Sequence, residues 1–281
     1  MVVNIKEAAR ITEAWEDFLQ EKYNNKARSD FRDYETAAPN VAAFYKENHE
    51  KQTLEHVLAM KKKYEKLDKA ELGIWEVLEL LNGLVDDSDP DTEMPQTVHA
   101  LQSAEAARQD GQPRWMILTA LIHDLGKYLF FLGEPQWTVV GDTFPVGCAF
   151  SNKVVHSEYF EANPDYHHPV YSTHDGIYTP QCGLENVHLS YGHDEYLANV
   201  CKDHLPEEAV YVIRHHSFYA WHHEHEYKWL MNERDHEMFK WVKVFNQYDL
   251  YSKSSDPPDV DKLKPYYLDL IAEFFPEKIR W

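Results

Sequence analysis

A chain of 281 residues with 43% hydrophobic residues, rich in Tyr, Phe and Trp and holding only 10 Gly and 14 Pro, has the material for a large packed core; it has neither a disordered nor a fibrous composition. The formal net charge of −20 repels phosphate backbones and anionic membranes, which argues against nucleic-acid and membrane partners. Three cysteines, Cys148, Cys182 and Cys201, cannot all pair within one chain and lack CxxC spacing, so reduced thiols in the cytoplasm are expected.

In chain order, the N-terminal MVVNIKEAARITEAWEDF alternates charge with apolar residues and shows no signal-peptide core. Leu72, Trp75, Val77, Leu78, Leu81 and Leu84 recur at three- and four-residue steps, as one buried helical face requires. Similar stripes predict helices over Gln96–Gln109, Arg114–Phe131, Asn186–Lys202, Glu207–Ser217, Asp235–Tyr251 and Val260–Phe275. Pro95, Pro113 and Pro206 stand where three of these runs begin. The apolar run from Trp115 to Ile122 is too short to span a membrane, which takes about 20 residues. Strand patterning is sparse, and Thr138–Val140 is the best candidate. Residues 134–184 carry little periodicity, and so long an irregular connection points to function. The expectation is an all-α fold, a single compact helical domain with a long irregular active-site loop.

The chemistry-bearing residues fall on the apolar stripes. His123 and Asp124, in HDLGK, follow the run MILTALI, and an ionised carboxylate there must be paired or bind a cation. Asp249 continues the stripe of Met238, Val242 and Phe245. His193 lies between Leu189 and Leu197, with Gly192 permitting close approach, and His216 follows Val212 and Ile213 by one turn. His99 faces Ser103 and Ala106. Each alone reads as a hydrogen-bonded core residue; presented together by five helices, they read as a metal site. Four imidazoles and two carboxylates suit iron, manganese or zinc. His215 leaves the assignment of His216 open, with His216 preferred for its apolar neighbours. The run HHEHE from His222 to Glu226 sits in a polar segment and is expected to be a solvated surface cluster.

The order His, His-Asp, His, His, Asp resembles the HD superfamily, whose helical cores bind one or two metals. Longer motifs narrow the resemblance to the myo-inositol oxygenases: FRDY (Phe31 to Tyr34), LVDDSDPD (Leu84 to Asp91), EPQWTVVGDTFPVGC (Glu134 to Cys148), YGHDEY (Tyr191 to Tyr196), HSFYAWH (His216 to His222), WVKVFNQYDLYSK (Trp241 to Lys253) and KPYYLDLI (Lys264 to Ile271). The first 30 residues and the stretch 152–179 carry less of it. The resemblance implies an N-terminal helical segment over 1–30 and an oxygenase domain over 31–281. It implies a monomeric enzyme of inositol catabolism that opens the ring of myo-inositol with dioxygen as co-substrate, giving D-glucuronate at a mixed-valent Fe(II)/Fe(III) site.

By that resemblance one iron takes His99, His123 and Asp249, the other takes His193 and His216, and Asp124 bridges them. The substrate contacts it implies are Arg32, Asp86, Ser88, Lys127, Gly141, Asp142, Ser217 and Lys253, with Lys127 and Asp124 in catalytic roles. An uncharged polyol is recognised through donors and acceptors, and these side chains supply both. Lys127, four residues after His123, is expected on the same helical face, beside the metal. A phosphohydrolase or phosphodiesterase of HD type uses the same ligands; the acidic charge and the lack of an arginine cluster near the motifs argue against a phosphate substrate. A non-catalytic metal scaffold would have no use for Lys127 and the Gly141–Asp142 loop.

Overall fold

A computed structural model of the chain describes residues 39–88, 95–251 and 258–281. Its helices are α1 (Pro39–Lys51), α2 (Leu54–Tyr64), α3 (Ile74–Leu80), α4 (Gln96–Gln109), α5 (Arg114–Ile122), α6 (His193–Cys201), α7 (Glu207–His215), α8 (Tyr219–His222), α9 (Glu233–Tyr251) and α10 (Val260–Ala272). The segment 1–30, Arg32 and Lys253 lie outside the described residues.

Local chemistry sets the helix starts. Thr53 accepts a hydrogen bond from the His56 amide and caps α2, as Asp259 does from Lys262 for α10. Pro95, Pro113 and Pro206 each sit one residue ahead of a helix, where no intrahelical N–H is lost. Helix α5 is apolar all round, and Met116 through Ile122 are buried without exception. A helix of that kind belongs in the middle. It packs against α4, α7, α9 and α10, which arranges the metal-capable side chains around its C-terminal end.

Three expectations are corrected. The stripe Asn186–Lys202 is helical only from His193, because Val187 and Gly192 are extended and Leu189 forms a β-bridge with Pro145. The stripe Arg114–Phe131 is not one helix: the α-helix stops at Ile122, Asp124 leaves helical geometry at φ −92° and ψ −2°, and Leu125–Phe130 forms a 3-10 helix. The cause is close packing, because Gly126 lies directly against the backbone of His193. Nor is Thr138–Val140 a strand. Gln136–Thr138 is a 3-10 turn, and the Val139 and Val140 amides both return to the Gln136 carbonyl. Their β-branched side chains are core plugs, fully or nearly fully buried.

Among the described residues the sheet consists of β1 (Glu71–Leu72) antiparallel to β2 (Ile279–Arg280). It clamps the end of the chain, where the buried Trp281 donates from its indole to the Leu72 carbonyl at 3.1 Å. The connection from 134 to 184 holds 3-10 turns, bends and a β-bridge of Pro145 with Leu189, yet it is a packed layer. Asp165 accepts from the Leu54 amide at 2.7 Å, and Asn163 donates to the carbonyls of His49 and Gln52, tying it to α1 and α2. The rings of His49, Phe160 and Phe150 stack within it. No described helix is long and apolar enough to cross a membrane.

Candidate metal centre

His123 and His216 occupy the same local position, the C-cap of α5 and of α7. A helix leaves its last carbonyls without partners. In each case the ring satisfies one of them: His123 Nδ1 lies 3.0 Å from the Ala120 carbonyl, and His216 Nδ1 lies 2.8 Å from that of Ile213. His193, the first residue of α6, places its Nδ1 2.9 Å from the Val139 carbonyl. A carbonyl oxygen only accepts, so Nδ1 carries the proton in all three, and each Nε2 presents its lone pair inward.

Those nitrogens converge on Asp124. Its Oδ2 lies 3.5 Å from His123 Nε2 and 3.8 Å from His99 Nε2, and its Oδ1 lies 3.4 Å from His193 Nε2 and 3.9 Å from His216 Nε2. Asp249, from α9, places Oδ1 3.2 Å from both His99 and His123. Two metal-capable groups result, His99, His123 and Asp124 on one side and Asp124, His193 and His216 on the other. All six residues singled out from the sequence therefore come together, and His216 rather than His215 faces the cluster. His215 instead packs on Tyr211 and Trp221.

The donor set fits cations. His193 and His216 bring their Nε2 atoms within 3.2 Å of each other, and the buried His123 Nε2 has no hydrogen-bond partner. Burial pushes the Asp124 carboxyl upward, but Lys127 and the surrounding imidazoles outweigh it and hold it well below the usual carboxylate range. For Asp249 the same burial is outweighed by His123 and His99. With nitrogen and oxygen donors and no thiolate, the site suits divalent ions such as iron, manganese or zinc.

Lys127 reaches the centre by a route that differs from the expected α-helical face. In a 3-10 helix residues three apart eclipse, and so Lys127 stands over Asp124, with Nζ 2.9 Å from Oδ2. The same ammonium donates to Asp86 Oδ2 at 2.8 Å and to Gln96 Oε1 at 3.3 Å. Burial alone would lower its pKa, but Asp124 and Asp86 raise it above the ordinary lysine range. Ser88 steadies Asp86 through its amide and hydroxyl, at 2.9 and 2.6 Å.

The loop of Gly141 and Asp142 runs beside the second half of the site: Val139 bonds His193, and the Thr143 amide donates to the Ser217 carbonyl. Gly141 has φ +97°, and a Cβ there would meet the Phe44 ring at 2.9 Å, so both conformation and space demand glycine. The buried Asp142 accepts from the Tyr45 hydroxyl at 3.3 Å. Ser217 donates to Asp194 from its amide and its hydroxyl.

Several participants escaped the sequence reading. Asp194 is buried against His193 and His216; its signal was a second His-Asp pair, matching His123-Asp124. Gln96 holds Lys127, and Tyr219 donates to Asp249 Oδ2 at 3.4 Å. The run HHEHE is not wholly a surface cluster. His222 is fully buried, because α8 tucks it under α7, where its Nε2 donates to the His216 carbonyl at 2.9 Å. His225 and Glu224 are exposed as expected.

Comparison with known proteins agrees with this arrangement. The family model for myo-inositol oxygenase matches residues 38–281, a span that includes every described member of the site and begins after Arg32. Inositol oxygenase 1 of Arabidopsis thaliana is 52% identical over 261 residues, covering 89% of this chain and 84% of the relative. The inositol oxygenase of Dictyostelium discoideum is 48% identical, covering 90% of each chain. That of Sus scrofa is 46% identical, covering 91% of this chain and 93% of its own. With identity of this degree along nearly the whole length of chains from plant, amoeba and mammal, the chain belongs to the myo-inositol oxygenase family.

Proposed function

We propose that this chain opens the ring of myo-inositol with dioxygen to give D-glucuronate and water, acting as a cytoplasmic monomer in inositol catabolism. Dioxygen takes up four electrons from the inositol, one of its atoms enters the acid and the other leaves as water, so no external reductant is required. Residues 31–281 form the oxygenase domain, with 1–30 an N-terminal helical segment. His99, His123 and Asp249 hold one iron, His193 and His216 hold the other, and Asp124 bridges the two. When bound, a mixed-valent Fe(II)/Fe(III) pair supplies the redox chemistry and acidifies hydroxyls brought to it.

The protein's own part is positioning and charge. Asp124 and Asp86 favour the charged form of Lys127. As an ammonium it stabilises negative charge on a ring oxygen that gives up its proton. Asp86, Ser88, Asp142 and Ser217 offer acceptors and hydroxyls to the polyol, Gly141 lets backbone approach it, and Arg32 and Lys253 supply donors from outside the described residues. Asp124 orients both halves of the centre.

The observation that carries this reading is the division of Asp124, whose Oδ2 faces His99 and His123 while Oδ1 faces His193 and His216. The test is oxygen uptake by anaerobically purified, iron-loaded protein on adding myo-inositol. Consumption matched one for one by glucuronate is expected. Absence of inositol-dependent uptake in folded, iron-loaded protein would reject the assignment.

A further inference from the structure

We propose that Gln96 is a placeholder for the substrate on Lys127: its Oε1 occupies the ammonium N–H that a ring oxygen of the polyol takes over on binding, so Gln96 sets how tightly the polyol is held. The inference rests on the role given to Lys127 above and adds a positioning residue to it.

An ammonium has three N–H donors and accepts nothing. Lys127 commits all three: Nζ lies 2.8 Å from Asp86 Oδ2, 2.9 Å from Asp124 Oδ2 and 3.3 Å from Gln96 Oε1. Lys127 and Gln96 are both buried, where a donor left without a partner is costly. In this state no donor remains for a fourth oxygen. Stabilising charge on a ring oxygen therefore requires one of the three acceptors to withdraw. Metal binding does not lift the constraint, because a carboxylate oxygen that faces a metal has a second lone pair for Lys127.

Gln96 is the acceptor that yields. The other two are carboxylates, and a charge-assisted bond is roughly twice as strong as one to a neutral amide. Theirs are also the shorter bonds. Asp86 is fixed at its other oxygen, Oδ1, by the Ser88 amide and hydroxyl at 2.9 and 2.6 Å, and Asp124 is set among the imidazoles of the centre. The Gln96 side chain has no such second tie among the described residues; Lys127 alone holds it. The backbone beneath it stays in place, since Thr97 fixes the start of α4 through its amide on Asn82 Oδ1 and its hydroxyl on the Leu78 carbonyl, at 3.1 and 3.2 Å. Only the side chain has to turn. A ring oxygen that gives up its proton carries negative charge and displaces a neutral carbonyl from an ammonium, so the exchange favours the oxygen on which the reaction depends.

The experiment compares full-length, iron-loaded wild type with Gln96→Ala, Gln96→Asn and Gln96→Glu. Dissociation constants for myo-inositol are measured anaerobically by titration calorimetry, KM and kcat by oxygen uptake, and melting temperature by scanning calorimetry. Gln96 is the first residue of α4, where propensity suits alanine and the helix dipole suits a carboxylate. Alanine cannot compete for the ammonium, and asparagine, one methylene shorter, does not reach it. Both variants bind inositol about 3- to 10-fold more tightly than wild type. Gln96→Glu offers a third carboxylate for the polyol to displace, and binding weakens on the order of 10- to 100-fold. In all three, KM moves with the dissociation constant and by more than kcat. A residue that merely props Lys127 gives the opposite sign, with weaker binding and slower turnover in Gln96→Ala and Gln96→Asn. That result overturns the proposal, as does unchanged affinity in folded Gln96→Ala, or in folded Gln96→Asn and Gln96→Glu where the alanine variant does not fold. A folded, iron-loaded wild type that neither binds nor consumes inositol overturns the reading of function beneath it, a result distinct from these.

Discussion

Gly126→Ala tests whether the centre depends on the contact between the HDLGK turn and the start of α6. A Cβ at Gly126 would lie 2.0 Å from the His193 carbonyl oxygen and 2.7 and 2.8 Å from its carbonyl carbon and Cα. An ordinary carbon–oxygen contact is about 3.3 Å, so the two segments must part by about 1.3 Å. Both sides are backbone, and no side chain can swing away to absorb the change. Overpacking of this kind costs about 1–3 kcal/mol, which for a chain this long lowers the melting temperature by roughly 2–5 °C. The displacement also widens the 3.4 Å gap between His193 Nε2 and Asp124 Oδ1, the link that joins the two halves of the centre. A misplacement of about 1 Å can reduce turnover roughly 100-fold. Differential scanning calorimetry, iron analysis and inositol-dependent oxygen uptake are therefore expected to fall together, with the iron at His193 and His216 lost first. A Gly126→Ala protein with wild-type melting, two irons and full turnover would refute the reasoning.

Lys127→Ala should retain iron but lose on the order of 100-fold in turnover, and Lys127→Arg should recover little, since a planar guanidinium is a poor substitute for a compact ammonium. Because Lys127 holds both Asp86 and Asp124, the iron-free variant should also melt lower than wild type; near-normal oxygen consumption in Lys127→Ala excludes the catalytic role. Burial pushes the Glu195 carboxyl upward, but Arg214 and Lys61 outweigh it and hold it at about 2, below the ordinary 4.5. Its stabilisation, on the order of 2 kcal/mol after allowance for partial exposure, is present above pH 4.5 and lost as pH falls toward 2. Urea titrations of wild type and Glu195→Gln should converge over that window, and a constant gap between them speaks against the ion pairs. Burial raises the Cys148 thiol to about 12 and encloses Cys201 completely, leaving Cys182 the most accessible of the three free thiols. Alkylation of native protein should modify Cys182 first, and the order is checked by peptide mapping.

The sequence exposed most of the helices because their apolar stripes obey one period; the span Gln96–Gln109 is found residue for residue. The ligands were legible for a related reason, since a carboxylate such as Asp249 on a buried stripe needs a cation. What escaped depends on contacts between distant segments. The break after Ile122 comes from Gly126 meeting His193, and nothing in MILTALIHDLGKYLF announces it. Two-residue strands are too short to carry a period, so the pairing of Glu71–Leu72 with Ile279–Arg280 left no trace. Asp194 sits at the start of an amphipathic helix, where an acidic residue is ordinary, so its pairing with His193 in the sequence was a weak signal until the fold brought His216 beside it. His222 looked solvated because its sequence neighbours are polar, yet the short turn of α8 inserts it beneath His216.

The central claim is two irons sharing Asp124, and anomalous scattering at the iron edge from crystals of the loaded protein tests it directly. The account predicts two peaks about 3.5–4 Å apart, one within bonding distance of His99, His123 and Asp249, the other of His193 and His216, with one oxygen of Asp124 on each. A single peak, or a pair bound away from these residues, contradicts it.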